Sequence, residues 1–274
     1  MKIWETKSGY KIIPILTRRS NVCLLTNGNQ NILIDTSIKS ERNKLDKRLN
    51  DLRITHIDYL ILTHTHFDHA GNARMIKEKF NSKVIVNRNG AKYLTSGDNI
   101  IPKGTNIFTR SLVYLFANKV FPKLRYEPCD YDLLVDSYLD LKECGFNAYV
   151  INTDGHTPDS MSIVVDNEIA IVGDTMFGVF KWTIMPPFAY DLKKLINSWS
   201  LLLETECAVF IPGHGSAIDR GLVEKTYFKR KELRTHPDNM LSGKLFFGSF
   251  ERRSISSCTT LSRFATGVRN AIDI

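Results

Sequence analysis

The chain has 274 residues, 43% apolar and 24% charged, proportions that suit a globular domain and exclude a disordered or fibrous one. No apolar run approaches the ~18 residues needed to cross a bilayer, and none follows Met1-Lys2-Ile3-Trp4-Glu5, so neither a membrane span nor a secretory leader is expected. The formal charge is +8, but from Gly221 onward ten Lys/Arg stand against five Asp/Glu. Most of the excess therefore lies in a basic tail, which suits a solvated surface better than a nucleic-acid footprint. The cysteines (Cys23, Cys129, Cys144, Cys207, Cys258) are odd in number and form no CxxC pair. Reduced thiols and a cytoplasmic setting are expected.

In chain order, residues 11–16, 21–26 and 31–35 read as strands, with the Asn27-Gly28-Asn29-Gln30 turn between the last two. Residues 40–51 read as a helix with Leu45, Leu49 and Leu52 on one face. Tyr59-Leu60-Ile61-Leu62 is a short buried strand, followed by a helix over 72–80 and a strand over 83–86. Residues 99–128 break the rhythm as a helical insertion. Its centre, 107–121, carries Phe108, Leu112, Leu115, Phe116 and Val120 between basic residues, as an amphipathic helix would. Strands resume at 148–151, 162–165, 168–172 and 208–211, with helices over 191–206 and 221–235. This order predicts an α/β fold: two mixed sheets packed face to face with helices outside, a four-layer αβ/βα sandwich over residues 1–236. Residues 237–274 read as a basic extension without a clear period.

The chemistry is announced by Thr63-His64-Thr65-His66-Phe67-Asp68-His69, which holds three of the seven histidines. If the chain stays extended, His64, His66 and Asp68 share one side and His69 points elsewhere. Imidazole and carboxylate are ligands that suit a borderline cation such as zinc. Three further positions, each at the end of a predicted strand, complete a set: His156 in Asp154-Gly155-His156-Thr157-Pro158, Asp174 in Val172-Gly173-Asp174-Thr175, and His214 in Pro212-Gly213-His214-Gly215. Seven ligands make two sites. One is His64, His66 and His156; the other is Asp68, His69 and His214, with Asp174 placed to bridge two divalent ions. Zinc is the first expectation for both, with iron or manganese as alternatives.

With these motifs in order from about Gln30 to Gly215, the chain resembles the metallo-β-lactamase superfamily. The resemblance implies the four-layer sandwich with metals at one edge. It also implies that Asp35 supports a metal-binding histidine from behind. Two positions depart from the family pattern: Asp159 and Ser37 stand where many relatives have glycine. The lactamases that name the superfamily place Cys or Ser at the Asp174 position. Asp there is similar to the glyoxalase II, lactonase and phosphodiesterase branches. The loop after Asp174 is aromatic and proline-rich, and Phe177, Phe180, Trp182, Phe188 and Tyr190 are the candidate pocket residues. The reading is a metal-dependent hydrolase of an ester, lactone or thioester with an apolar acyl portion, in which Asp68 orients the nucleophile. Phosphodiester or RNA cleavage on the same two-metal site, and a persulfide-dioxygenase-like oxidation with one iron, are the alternatives. The expected partner is a small acyl substrate; nucleic acid is disfavoured, and a homo-oligomer stays open.

Overall fold

The computed structural model describes residues 2–235, apart from 18, 101–102, 106–107, 110, 112 and 116–123. The extension expected at 237–274 lies outside the described residues. So does much of the amphipathic helix expected at 107–121. Residues 108, 109, 111 and 113–115 are helical, and Phe108, Tyr114 and Leu115 are exposed.

Among the described residues, fifteen strands follow in chain order: β1 (Trp4–Glu5), β2 (Lys11–Leu16), β3 (Val22–Thr26), β4 (Asn31–Ile34), β5 (Tyr59–Ile61), β6 (Lys83–Asn87), β7 (Lys103–Gly104), β8 (Leu133–Val135), β9 (Tyr138–Asp140), β10 (Ala148–Asn152), β11 (Met161–Val165), β12 (Ile169–Gly173), β13 (Phe188–Ala189), β14 (Val209–Pro212) and β15 (Ile218–Asp219). One sheet has the order β1-β2-β3-β4-β5-β6-β8 and the other β15-β14-β12-β11-β10-β9, while β7 and β13 form a separate pair. Both large sheets are mixed: β4, β5, β6 and β8 run parallel, as do β12 and β14.

The strands are apolar on both faces because both faces are covered. In β4, Ile32 and Ile34 face the other sheet, where they join Val150, Ile163, Val165, Ile171 and Ile211 in the central core. Leu33 points the opposite way. It packs with Leu45 and Leu49 of α1 (Arg42–Asp51) and, beyond the four-residue α2 (Phe67–Ala70), with Ile76 of α3 (Ala73–Phe80). On the far side, Val164, Ala170 and Phe210 meet Leu195, Trp199 and Leu202 of α5 (Leu192–Glu204) and Val223 of α6 (Arg220–Thr235), which follow α4 (Ala91–Ser96) in the chain. Three apolar layers between four structural layers make the sandwich.

Local chemistry sets the boundaries. Asp191 caps α5 by accepting hydrogen bonds from the Lys193 and Lys194 amides at 2.8 and 3.1 Å, which satisfies donors that the first turn leaves free. The Asn27 side chain closes the β3–β4 turn through the Asn29 and Gln30 amides. Leu52 differs from the expectation of a third apolar helix position: α1 ends at Asp51, so Leu52 leaves the packed face and is exposed.

Topology positions the site. β4 and β5 are parallel, and β10, β12 and β14 share one direction because β11 is antiparallel to both β10 and β12. The loops after β4, β5, β10, β12 and β14 carry Asp35, the histidine run, His156, Asp174 and His214 respectively. Carboxyl ends of parallel strands are where an α/β sheet opens to a ligand.

Candidate metal centre

All seven predicted ligand residues meet. Ligand atoms lie within 4.8 Å of one another in three overlapping groups: His64, His66 and His156; His64, His69 and Asp174; and Asp68, His69 and His214. Asp174 stands between the outer two, with Oδ1 3.5 Å from His69 Nε2 and Oδ2 3.5 Å from both His156 Nε2 and His214 Nε2. One detail of the sequence reading is corrected. The chain leaves the extended conformation at His66, and Phe67–Ala70 forms a helical turn. Alternation therefore holds only for His64 and His66. The ~100° per residue of the helix carries Asp68 and His69 together to the second group.

Four of the five clustered histidines are oriented from outside. His66 Nε2 donates to the Ile100 carbonyl at 2.8 Å, His156 Nδ1 to the Phe188 carbonyl at 2.9 Å, and His69 Nδ1 to Asp35 Oδ2 at 2.8 Å. His64 Nδ1 lies 3.2 Å from Thr63 Oγ1, whose own proton goes to Asp35 Oδ2 at 2.8 Å. Each of these four rings thus spends one nitrogen on a fixed partner and turns the other inward. His66 presents Nδ1, and His64 and His156 present Nε2 within 3.1 Å of it. This is how metal-binding imidazoles are held in one tautomer. Asp35 also accepts from the Thr63 amide at 2.8 Å, so one buried carboxylate secures Thr63, His64 and His69 together.

The fit to a cation is tested by what these side chains lack. His69 Nε2 and Asp174 Oδ1 are buried without a hydrogen-bond partner, and an unpaired buried polar atom costs about 1–3 kcal/mol. Charge points the same way. Burial alone would lower His69, but Asp35, Asp174 and Asp68 raise it to about 9; His214 is raised to about 11 by Asp174 and Asp68 against the same burial. His64 and His156 go the other way, lowered by burial and by neighbouring imidazoles, His156 to about 4. Asp174 is held well below the usual carboxylate range: burial opposes this, but His214 and His69 prevail. Carboxylates that draw protons onto imidazoles would draw a divalent cation in their place. The residues fit a metal.

Packing leaves these loops little freedom. A Cβ on Gly213 would lie 2.2 Å from Asp174 Oδ1 and 2.6 Å from His69 Cε1, so only glycine lets the His214 loop approach. Trp199 Nε1 donates to the Thr175 carbonyl at 2.6 Å and anchors the turn that carries Asp174. Ser37, one of the two departures from the family pattern, sits at φ 60°, in the left-handed region that favours glycine.

A cavity of about 330 Å³ opens on the cluster, lined by His66, Asp68, His156, Asp174 and His214 below and by Phe67, Leu124, Phe177, Pro187 and Phe188 around. Of the predicted pocket residues, Phe177 and Phe188 line it. Phe180 and Trp182 do not: they pack against each other at a tilt with ring centroids 5.3 Å apart, and Trp182 is 75% exposed. Tyr190 faces neighbouring depressions instead. The loop turns outward after Gly178, which bonds to the His214 loop, and returns at the buried Ile184, whose carbonyl accepts from the Phe177 amide; Thr105 then holds it at Pro187. Phe67 and Leu124 went unrecognised as walls. Phe67 sits inside the metal loop, a usable signal; Leu124 comes from the insertion and has none. A larger opening of about 660 Å³ lies at the side of the sandwich by Trp4, Pro14 and Val209, and it includes none of the seven.

The profile of the metallo-β-lactamase superfamily matches residues 16–214. The chain belongs to the metallo-β-lactamase superfamily. A probable metallo-hydrolase of Methanocaldococcus jannaschii is 33% identical over 196 residues, covering 70% of this chain and 86% of that protein. The hydroxyacylglutathione hydrolase GloC of Haemophilus influenzae is 27% identical, covering 75% and 90%. Among solved structures, an archaeal superfamily member from Sulfolobus tokodaii matches with a TM-score of 0.56 at 21% identity, over 90% of this chain and 91% of that one. A Cronobacter sakazakii metallo-β-lactamase matches with a TM-score of 0.61 at 15% identity, over 87% and 95%. These structural likenesses carry the superfamily fold. Among the described residues, no helix is long and apolar enough to cross a membrane.

Proposed function

We propose that this superfamily member is a dinuclear metal-dependent hydrolase that cleaves an ester, lactone or thioester with a small apolar acyl group. The observation that carries the reading is the cavity itself: a floor of imidazole and carboxylate under walls of Phe67, Leu124, Phe177, Pro187 and Phe188. His64, His66 and His156 would hold one ion and Asp68, His69 and His214 the other, with Asp174 shared between them. Two zinc ions so held would lower the pKa of water to about 7 and polarise a carbonyl oxygen.

The protein's own part is placement. Asp68 lines the cavity with its Oδ2 3.3 Å from His214 Nε2, and its carboxylate orients the attacking water and takes up its proton. The aromatic walls seat the acyl group with its carbonyl toward the cluster and exclude bulk water. The volume of about 330 Å³ suits a short acyl chain. A relative named for hydrolysis of hydroxyacylglutathione, an S-acyl thiol, supports the acyl assignment.

The test compares purified protein on short S-acyl thiols, lactones and bis(p-nitrophenyl) phosphate, with metal content measured before any ion is added. Acyl hydrolysis with two zincs per chain, lost in Asp68→Ala, is the expected result. Preference for the phosphodiester, or oxygen uptake with a persulfide and one iron per chain, would overturn it.

A further inference from the structure

The cluster is assembled from two halves of the chain. His64, His66, Asp68 and His69 follow β5 in one sheet; His156, Asp174 and His214 follow strands of the other. Two side chains outside all three ligand groups cross between the halves. Asp159 is fully buried three residues after His156, and its Oδ2 accepts from both the amide and the hydroxyl of Thr65, at 2.9 and 2.7 Å. Thr65 lies between His64 and His66. One carboxylate therefore ties the turn carrying the third imidazole of the first group to the backbone carrying the other two. The Tyr126 hydroxyl donates to the Thr65 carbonyl at 3.0 Å and closes the grip. Gly90 packs bare backbone against the carboxylate, since a Cβ there would lie 2.5 Å from Oδ2.

Asn21 crosses in the opposite direction. Its amide donates to the Gly213 carbonyl at 2.6 Å, and its Nδ2 to the Pro212 and Gly215 carbonyls at 2.8 and 2.9 Å. These bonds wrap the backbone on both sides of His214. The preceding Ser20 hydroxyl donates to the Asp68 carbonyl at 2.5 Å. The Ser20-Asn21 corner thus joins Asp68 and His214, two of the three residues of the second group.

We propose that Asp159 and Asn21 are positioning residues that tune the two metal positions separately, Asp159 through Thr65 for the group of His64, His66 and His156, and Asn21 through residues 212–215 for the group of Asp68, His69 and His214. The inference rests on the two-metal reading above. Neither residue lines the cavity, so each acts through the backbone it holds.

The experiment is zinc titration calorimetry on chelator-stripped protein, with circular dichroism melting as a control for folding. Asp159→Ala weakens one of two zinc sites by about 10–100-fold, the range for loss of a partner behind the ligands, and Asn21→Ala weakens the other by a similar factor. The sites are assigned in ligand knock-outs. In His66→Ala, which retains the second group, adding Asp159→Ala leaves the remaining zinc affinity unchanged, whereas adding Asn21→Ala lowers it. In His214→Ala the two effects exchange. Asp159→Asn keeps an acceptor oxygen for Thr65 and restores affinity to within a few-fold of wild type. Unchanged zinc affinities in both variants, or both variants weakening the same site, would overturn the proposal. Failure of the wild type itself to bind two zincs would refute the dinuclear reading and the separate tuning with it.

Discussion

Replacing Asp35 with Asn is the sharpest probe of how the metal loop is held. The residue is 2% exposed, and its side chain accepts three hydrogen bonds of 2.8 Å, from the Thr63 amide on Oδ1 and from Thr63 Oγ1 and His69 Nδ1 on Oδ2. An amide of the same shape has one acceptor and one donor end. Either orientation sets its NH₂ group against a buried N–H, that of Thr63 or that of His69. In the second case His69 escapes by moving its proton to Nε2, the nitrogen that faces Asp174, and so loses its inward lone pair. One unsatisfied buried group costs about 1–3 kcal/mol, and the loss of charge-assisted bonding adds to it, so about 3 kcal/mol of stability should go. For a domain of this size that lowers Tm by roughly 6–12 °C. Zinc affinity should fall about 10–100-fold. Thermal melting of chelator-treated protein and zinc titration calorimetry read the two effects. An Asp35→Asn protein with wild-type Tm and wild-type zinc affinity would refute the argument.

Further outcomes follow from packing and burial. Gly213→Ala forces Asp174 or the His69 ring to move, and elemental analysis should find less than the wild-type metal content; full occupancy would show that the loop relaxes without cost. Phe177→Ala or Phe188→Ala should raise KM for a butyryl substrate about 10-fold, on the order of the burial energy of a side chain, and less for an acetyl one. Trp182→Ala, at an exposed position outside the cavity, should leave both within about twofold, and a large effect there would move the substrate pocket outward. The Cys23 thiol is pushed up to about 12 by burial and by Asp35, so iodoacetamide should modify it only after unfolding. Mass spectrometry of native and denatured protein distinguishes the two, and labelling in the native state counts against the central core as described.

Much of the fold was legible because its strands and helices carry strong local patterns. The doubly buried strands are short apolar runs, and α5 shows its face through Leu195, Trp199 and Leu202 at helical spacing. The short pieces were not legible. β1, β7 and β13 have two residues each, too few for any period, and they exist because a neighbouring strand supplies hydrogen-bond partners. The aromatic loop misled for a related reason. Its residues are adjacent in sequence to Asp174, but the loop is held at Gly178, at Ile184 and at Pro187, so of its predicted pocket aromatics Phe180 and Trp182 are exposed while Phe177 and Phe188 line the cavity.

The sequence by itself named the candidate donors that the fold brings together. Histidines and aspartates crowded at strand ends declare themselves as side-chain types, and the order of their motifs carries the superfamily. Tertiary structure alone decided how those donors are aimed. The Ile100 and Phe188 carbonyls that orient His66 and His156 are backbone atoms, which leave no mark on residue identity. Asp159 and Asn21 are single polar residues whose partners lie 94 and more than 190 positions away. Ligand chemistry is a property of side chains and can be read along the chain. Ligand geometry is a property of distances between segments, and these are set only when the two sheets close on each other.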